Sequence, residues 1–290
     1  MHKYLRAVGF SNLKNRDDMQ KLIDKAIREA TGTYCVAVGD ELLGDYCLKC
    51  GDKMGVAICG DYDESDEFYY EHLYPYIESD IISTKEKSIV DRHIATRSFA
   101  GVVEDNRIGI SIIYYLQDRI NYIKKFLDDS EITKNAPITL TGLSESGMIL
   151  MPIEKSASNA KKMSRQSKNR DKLVEAARQG NDEALESLTL DDIDVYTNIS
   201  RQLIDSDVYS IVDTCFMPYG AECDLYTIIG EITSVSEDEN YFTGEHVYRM
   251  GIVCNGLSLD ICINKADLFG EPEVGRRFKG TIWLQGRLVC

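Results

Sequence analysis

The sequence predicts an α+β protein: an N-terminal helix with an antiparallel β meander, a helical connector, and a small β-barrel towards the C-terminal end. Three observations carry this. Apolar residues recur at three- and four-residue spacing near the N-terminus, as one face of a helix requires. Short β-prone runs punctuated by Gly and Asp follow, the pattern of strands joined by tight turns. After residue 205 the chain reads almost wholly as strands, with one helical turn before the last.

The helix is placed at 16–30, where Met19, Leu22, Ile23, Ala26, Ile27 and Ala30 share a face. Asn15 is suited to the N-cap, Asp17 and Asp18 to the positive end of the helix, and Gly32 to its stop. The meander is carried by "TYCVAVG", "DYCLKC", "MGVAICG", "EFYYEHLY", "SIVDRHIATRS" and "RIGISIIYYL". A second helix is expected at 117–127, with Ile120, Ile123 and Phe126 on one face. "PITLTGL" and "GMILMPI" read as a hairpin turning at "SESG". Between 154 and 172 there are seven basic residues, two acidic ones and almost no apolar anchor, as in a linker. Short helices are expected from Leu173 to Leu203. The later strands are "DVYSIVDTCF", "LYTIIGEITSV" with a bulge at Gly230, "HVYRMGIVC", "LSLDICI" and "GRRFKGTIWLQGRL". "NG" at 255–256 is a two-residue hairpin signal, and "NKADLF" is a helical turn before Gly270. Five strands with a short helix before the last make an OB-like β-barrel. The expected division is therefore an α+β domain at 1–152, a basic linker and helical connector at 153–204, and the barrel at 205–290.

The net charge of −15 opposes broad affinity for nucleic acid or an anionic membrane, so any anion site must be local. No run of apolar residues is long enough for a membrane span, and the first residues lack the apolar core of a signal peptide. Nine scattered cysteines suit a reducing compartment, and a cytoplasmic location is expected.

Several local patterns invite chemistry, and each has a plainer reading. Cys47 and Cys50 form a C-x-x-C with Cys35 and Cys59 nearby, but a structural zinc site normally needs a second close pair. A zinc-stabilised scaffold is thus the weaker alternative, and no cofactor is expected. "GLSESG" has Gly142 before Ser144 but Ser146 where a nucleophile elbow needs Gly. "DYDESDEF" starts like a calcium loop but lacks its Gly and terminal Glu. Asp91 and His93 would share a strand face, and they are the candidates if the chain is an enzyme with a site between domains. No nucleophile accompanies them. "AARQGNDEALESL" resembles a helix–turn–helix, but its acidic second helix would repel phosphate.

The last strand raises a sharper question. Phe278, Gly280, Ile282, Leu284, Gly286 and Leu288 alternate with Arg277, Lys279, Thr281, Trp283, Gln285 and Arg287. Arg277, Lys279, Trp283 and Arg287 could form a rail that stacks a base and tracks phosphates. The plainer reading has Trp283 filling an interface and the cations pairing with acids.

The segments "MHKYLRAVGFS", "DVYSIVDTCFMPYG" and "GEPEVGRRFKGTIWLQGRL" resemble a group of uncharacterised proteins, a domain of unknown function, from clostridia-like anaerobic bacteria. The resemblance runs the length of the chain and implies a bacterial cytoplasmic protein; it transfers no catalytic residue. The expectation is a non-enzymatic binding or adaptor protein whose partner is another protein or a short anionic ligand.

Overall fold

The computed structural model describes residues 3–13, 15–92, 98–153, 212–221 and 223–289. Two compact units are distinguished: Met1–Leu150 with Cys215–Cys290, and Met151–Thr214. The expected linker and helices between 153 and 204 lie outside the described residues, as does the start of "DVYSIVDTCF". The described chain is mostly β with few helices, none long and apolar enough to cross a membrane.

Helix α1 (Arg16–Arg28) forms where the apolar spacing places it, with Leu22, Ile23 and Ala26 buried. The Asn15 side chain accepts from the Asp18 backbone N–H at 2.8 Å, so the cap read from sequence is made. Strands β1 (Gly32–Val38), β2 (Glu41–Lys49), β3 (Met54–Tyr62) and β4 (Phe68–Ile77) pair in chain order as an antiparallel sheet.

A second sheet begins with β5 (Ser88–Arg92), β6 (Phe99–Glu104) and β7 (Ser111–Leu116), again antiparallel. Helices α2 (Arg119–Asp128) and α3 (Ser130–Asn135) lead into β8 (Ile138–Leu150). The chain resumes with β9 (Cys215–Pro218), β10 (Leu225–Glu239), β11 (His246–Cys254) and β12 (Leu257–Asn264). A 3-10 turn at Lys265–Asp267, β13 (Leu268–Phe269) and β14 (Arg277–Leu288) complete it. Five of these strands close a ring in the order β8, β12, β11, β10, β14, with β14 returning to pair with β8. The β8–β12 pair is parallel; the other four are antiparallel.

The ring joins the two stretches that the expected 1–152 and 205–290 division sets apart, because β8 pairs along its length with β14. The hairpin expected at "SESG" is likewise replaced by one continuous strand. Its glycines provide close approach in place of a turn. A Cβ on Gly147 would stand 2.4 Å from the Phe278 ring, and one on Gly142 would stand 2.8 Å from Ile282. The bulge expected at Gly230 falls between Ile232 and Ser234, and Gly230 makes room for Ile252.

Strand alternation sorts the barrel's side chains between two cores. Leu140, Ile228, Ile252, Leu259, Ile261, Phe278, Ile282 and Leu284 belong to the inner one. Leu143, Leu225, Val247, Cys262 and Trp283 face outward into a second core. There they meet α1, the β2–β4 sheet, and Tyr4, Leu5, Ala7 and Val8 of an N-terminal 3-10 turn (Lys3–Val8). That turn is fastened by an Arg6–Asp267 ion pair and by Asn240, whose side-chain N–H donates to the Val8 carbonyl at 2.7 Å.

The β11–β12 hairpin turns at Asn255 and Gly256, with φ of 50° and 79°. Asn tolerates this left-handed conformation because its short polar side chain bonds locally. Asn255→Ala should therefore cost about 1 kcal/mol. A urea midpoint unchanged from the parent would show that the turn residue is immaterial.

Candidate functional site

The four side chains of the expected rail are not placed alike. Arg277 is buried at 4% exposure and Trp283 at 5%, whereas Lys279 is half-buried and Arg287 is exposed. The Trp283 ring stacks on Tyr4 with centroids 5.5 Å apart and tilts against Tyr115 at 5.0 Å. Its indole N–H donates to Asp224 Oδ2 at 2.7 Å. The indole is thus packed within the chain. Arg287 lines an open cavity.

Two neighbouring cavities have Gln117, Asp118, Asn121 and Arg287 in both their linings. The larger, about 360 Å³, extends past Asp80, Ile82, Tyr122 and Lys125 to Leu288 and Val289. The smaller, about 130 Å³, is walled by β1, β2 and β4 through Tyr34, Cys47, Lys49, Tyr74, Tyr76 and Glu78. Everything converges on the corner between β7 and α2.

The sequence at that corner is Gln117-Asp118-Arg119, and its two outer members are anchored inward. The Gln117 side-chain N–H group donates to Gln285 Oε1 at 2.7 Å and to Thr141 Oγ1 at 3.2 Å. Arg119 is 2% exposed; its Nε–H donates to Asp45 Oδ1 at 2.9 Å, and its terminal nitrogen donates to the Gly60 carbonyl at 3.1 Å. Burial pushes the Asp45 carboxyl up from its ordinary value, and the Arg119 charge opposes that rise. With both neighbours fixed, Asp118 takes φ 55°, ψ 47°, a left-handed conformation uncommon outside glycine. Its Oδ2 accepts from the Asn121 side chain at 2.7 Å, and Arg287 approaches the same oxygen at 3.6 Å. A carboxylate and a guanidinium are thus held side by side at the mouth.

A family model described as a domain of unknown function from an E. rectale gene (DUF3881) matches residues 5–286. The chain belongs to the DUF3881 family. The expected kinship with uncharacterised proteins of clostridia-like bacteria is thereby established, over nearly all of the chain. No curated protein and no solved structure matches it.

The remaining candidates in this DUF3881 chain are dispersed. Among the described residues no group of three or more His, Cys, Asp and Glu side chains is placed to hold a metal ion. Cys47 lines the smaller cavity and Cys50 is buried against the Val8 carbonyl. Burial pushes both thiols up to about 12, Cys47 with help from the nearby Asp45 charge. Cys35 is exposed on β1, and Cys59 is fully buried on β3. Asp91 is exposed on β5, while His93 lies outside the described residues. Ser144 is buried, and its single hydroxyl hydrogen is within reach of the carbonyls of Ser146 at 2.9 Å and Thr281 at 2.8 Å, an arrangement that serves the strand. In the "DYDESDEF" stretch, Asp63 Oδ1 accepts from the backbone N–H groups of Ser65 and Glu67, closing the β3–β4 turn. Asp118 and Asn121 carry no motif, and sequence reading passes over them.

Proposed function

We propose that this chain is a non-enzymatic binding protein built on an OB-like barrel, with its ligand seated in the Asp118–Arg287 cleft. The OB-like reading is supported by the wiring of the ring. β10, β11 and β12 form a meander, a helical turn follows, and β14 returns beside β10. The fifth strand, parallel to the third of that meander, is β8, supplied from ahead of the others in the chain. Barrels of this class commonly bind ligands on an outer face. Here Tyr4 and its neighbours cover much of that face.

One observation carries the choice of site: Arg287 reaches a cavity whose volume falls in the range of small-molecule sites. A short anionic ligand would meet the guanidinium there.

The test uses the full chain at low salt. Short single-stranded oligonucleotides should leave Trp283 emission blue and unquenched. Thermal denaturation with a set of small carboxylates and phosphates should reveal compounds that raise the melting temperature in the parent but not in Arg287→Ala. Quenching of Trp283 would move the ligand to the outer face. A set without any Arg287-dependent shift would remove a plain anion as the ligand of the cleft.

A further inference from the structure

We infer that the ligand of the cleft is an α-amino-acid-like zwitterion, its carboxylate on Arg287 and its ammonium on Asp118. The inference rests on the binding reading above and names the chemistry of that same site.

Arg287 and Asp118 stand 3.6 Å apart, beyond hydrogen-bonding distance, with side chains 47% and 24% exposed. Among the described residues this is the one partner found for the guanidinium. Asp118 accepts one hydrogen bond, on Oδ2 from Asn121, and its Oδ1 accepts none from a described residue. Asn121 holds the carboxylate in place, and the amide oxygen of Asn121 is a further acceptor at the same mouth. A guanidinium offers a planar fork of donors that suits a carboxylate, and a carboxylate beside an amide oxygen suits an ammonium. An α-amino acid carries those two groups on one carbon, at a spacing that matches a cation and an anion held side by side.

The rest of the cleft favours a zwitterion over a plain anion. Lys125 and Lys49 add positive charge, and Asp45, Asp80 and Glu78 add negative charge; Asp45 is paired with Arg119, Glu78 with Lys49 and Asp80 with Lys53. A plain anion on Arg287 would leave the adjacent Asp118 carboxylate without a cation, whereas a molecule carrying one charge of each sign complements both. The apolar lining, with Ile82, Tyr122, Leu288 and Val289, offers a place for a side chain. The backbone is already set, since the anchoring of Gln117 and Arg119 fixes Asp118 before any ligand arrives. The existing ion pair is half open to water and so is held weakly, which makes insertion of a ligand between its members cheap.

The experiment is a thermal-shift screen of the full chain against the twenty proteinogenic amino acids, followed by calorimetric titration. Any amino acid that binds is compared with its N-acetyl and C-amide derivatives. At least one free amino acid should bind, and each derivative should bind about tenfold more weakly or worse, as loss of one charged hydrogen-bonded contact implies. Arg287→Ala should abolish binding. Asp118→Asn should weaken it about tenfold while leaving the melting temperature of the free protein close to the parent's, because Asn also accepts the left-handed backbone. If N-acetyl derivatives bind as well as free amino acids, the zwitterion is excluded and an anion site remains. If neither amino acids nor the small carboxylates and phosphates bind, this inference and the binding reading fall together. Binding indifferent to both substitutions would place the ligand elsewhere and overturn the assignment.

Discussion

Arg119→Ala should destabilise the folded chain by about 3–5 kcal/mol, because it strands a buried carboxylate. The Arg119 and Asp45 side chains are 3% and 5% exposed, and the guanidinium also satisfies the carbonyls of Gly44 and Gly60. Removing it leaves those acceptors and the Asp45 charge without their donor in a medium that solvates charge poorly. The urea midpoint should fall with little change in slope. Replacing both partners, as Asp45→Leu with Arg119→Met, should recover much of the loss, since a fully apolar pair leaves no orphaned charge. A single-mutant loss below about 1 kcal/mol would mean that water reaches the pair and that the corner holding Asp118 is not rigid.

Trp283→Ala is the second large effect, at about 3–5 kcal/mol. The indole lies between Tyr4 and Tyr115 and donates to Asp224, so truncation opens a cavity and breaks a hydrogen bond together. Trp283→Phe keeps a ring in the stack and loses the donor, and should cost about 1 kcal/mol plus a small packing term. The two substitutions should also differ at the N-terminus. Amide exchange in Lys3–Val8 should accelerate far more in Trp283→Ala than in Trp283→Phe. Equal protection in both would mean that Arg6, Asn240 and the apolar residues of the turn hold it without the stack.

How much of this was legible in the sequence depends on the range of the forces involved. Helix α1 was readable because its apolar stripe and its Asn15 cap are both local, and the Asn255–Gly256 turn because two residues determine it. The two faces of β14 were readable from alternation alone: Phe278, Ile282 and Leu284 fall in one core and Trp283 in the other. Alternation does not say what covers the outward face. Tyr4 is almost the length of the chain away from Trp283, and nothing local pairs them. Strand β8 was misread because Gly142 and Gly147 look like turn residues until Ile282 and Phe278 are laid across them. Strand β6, "FAGVVE", is not among the runs picked out from sequence, although it is no shorter than β5 or β7. Of the site, Arg287 was legible as a cation on an outward face. Asp118 was not, because its role follows from neighbours whose burial against β2, β8 and β14 cannot be inferred from "LQDR".

The parallel seam between β8 and β12, and the antiparallel one between β8 and β14, bear on how the molecule comes into being. Their registers join residues lying on the order of 120 to 150 positions apart. On the ribosome, β8 therefore emerges long before the strands that must flank it. Until then it presents two unsatisfied hydrogen-bonding edges, a state that invites association with other nascent chains. Loop-closure entropy for so distant a pairing makes the ring a late event, and refolding in vitro should be slow and sensitive to protein concentration. Residues 215–290 produced alone would have a gap where β8 belongs, so the barrel cannot be isolated by cutting the chain at the connector.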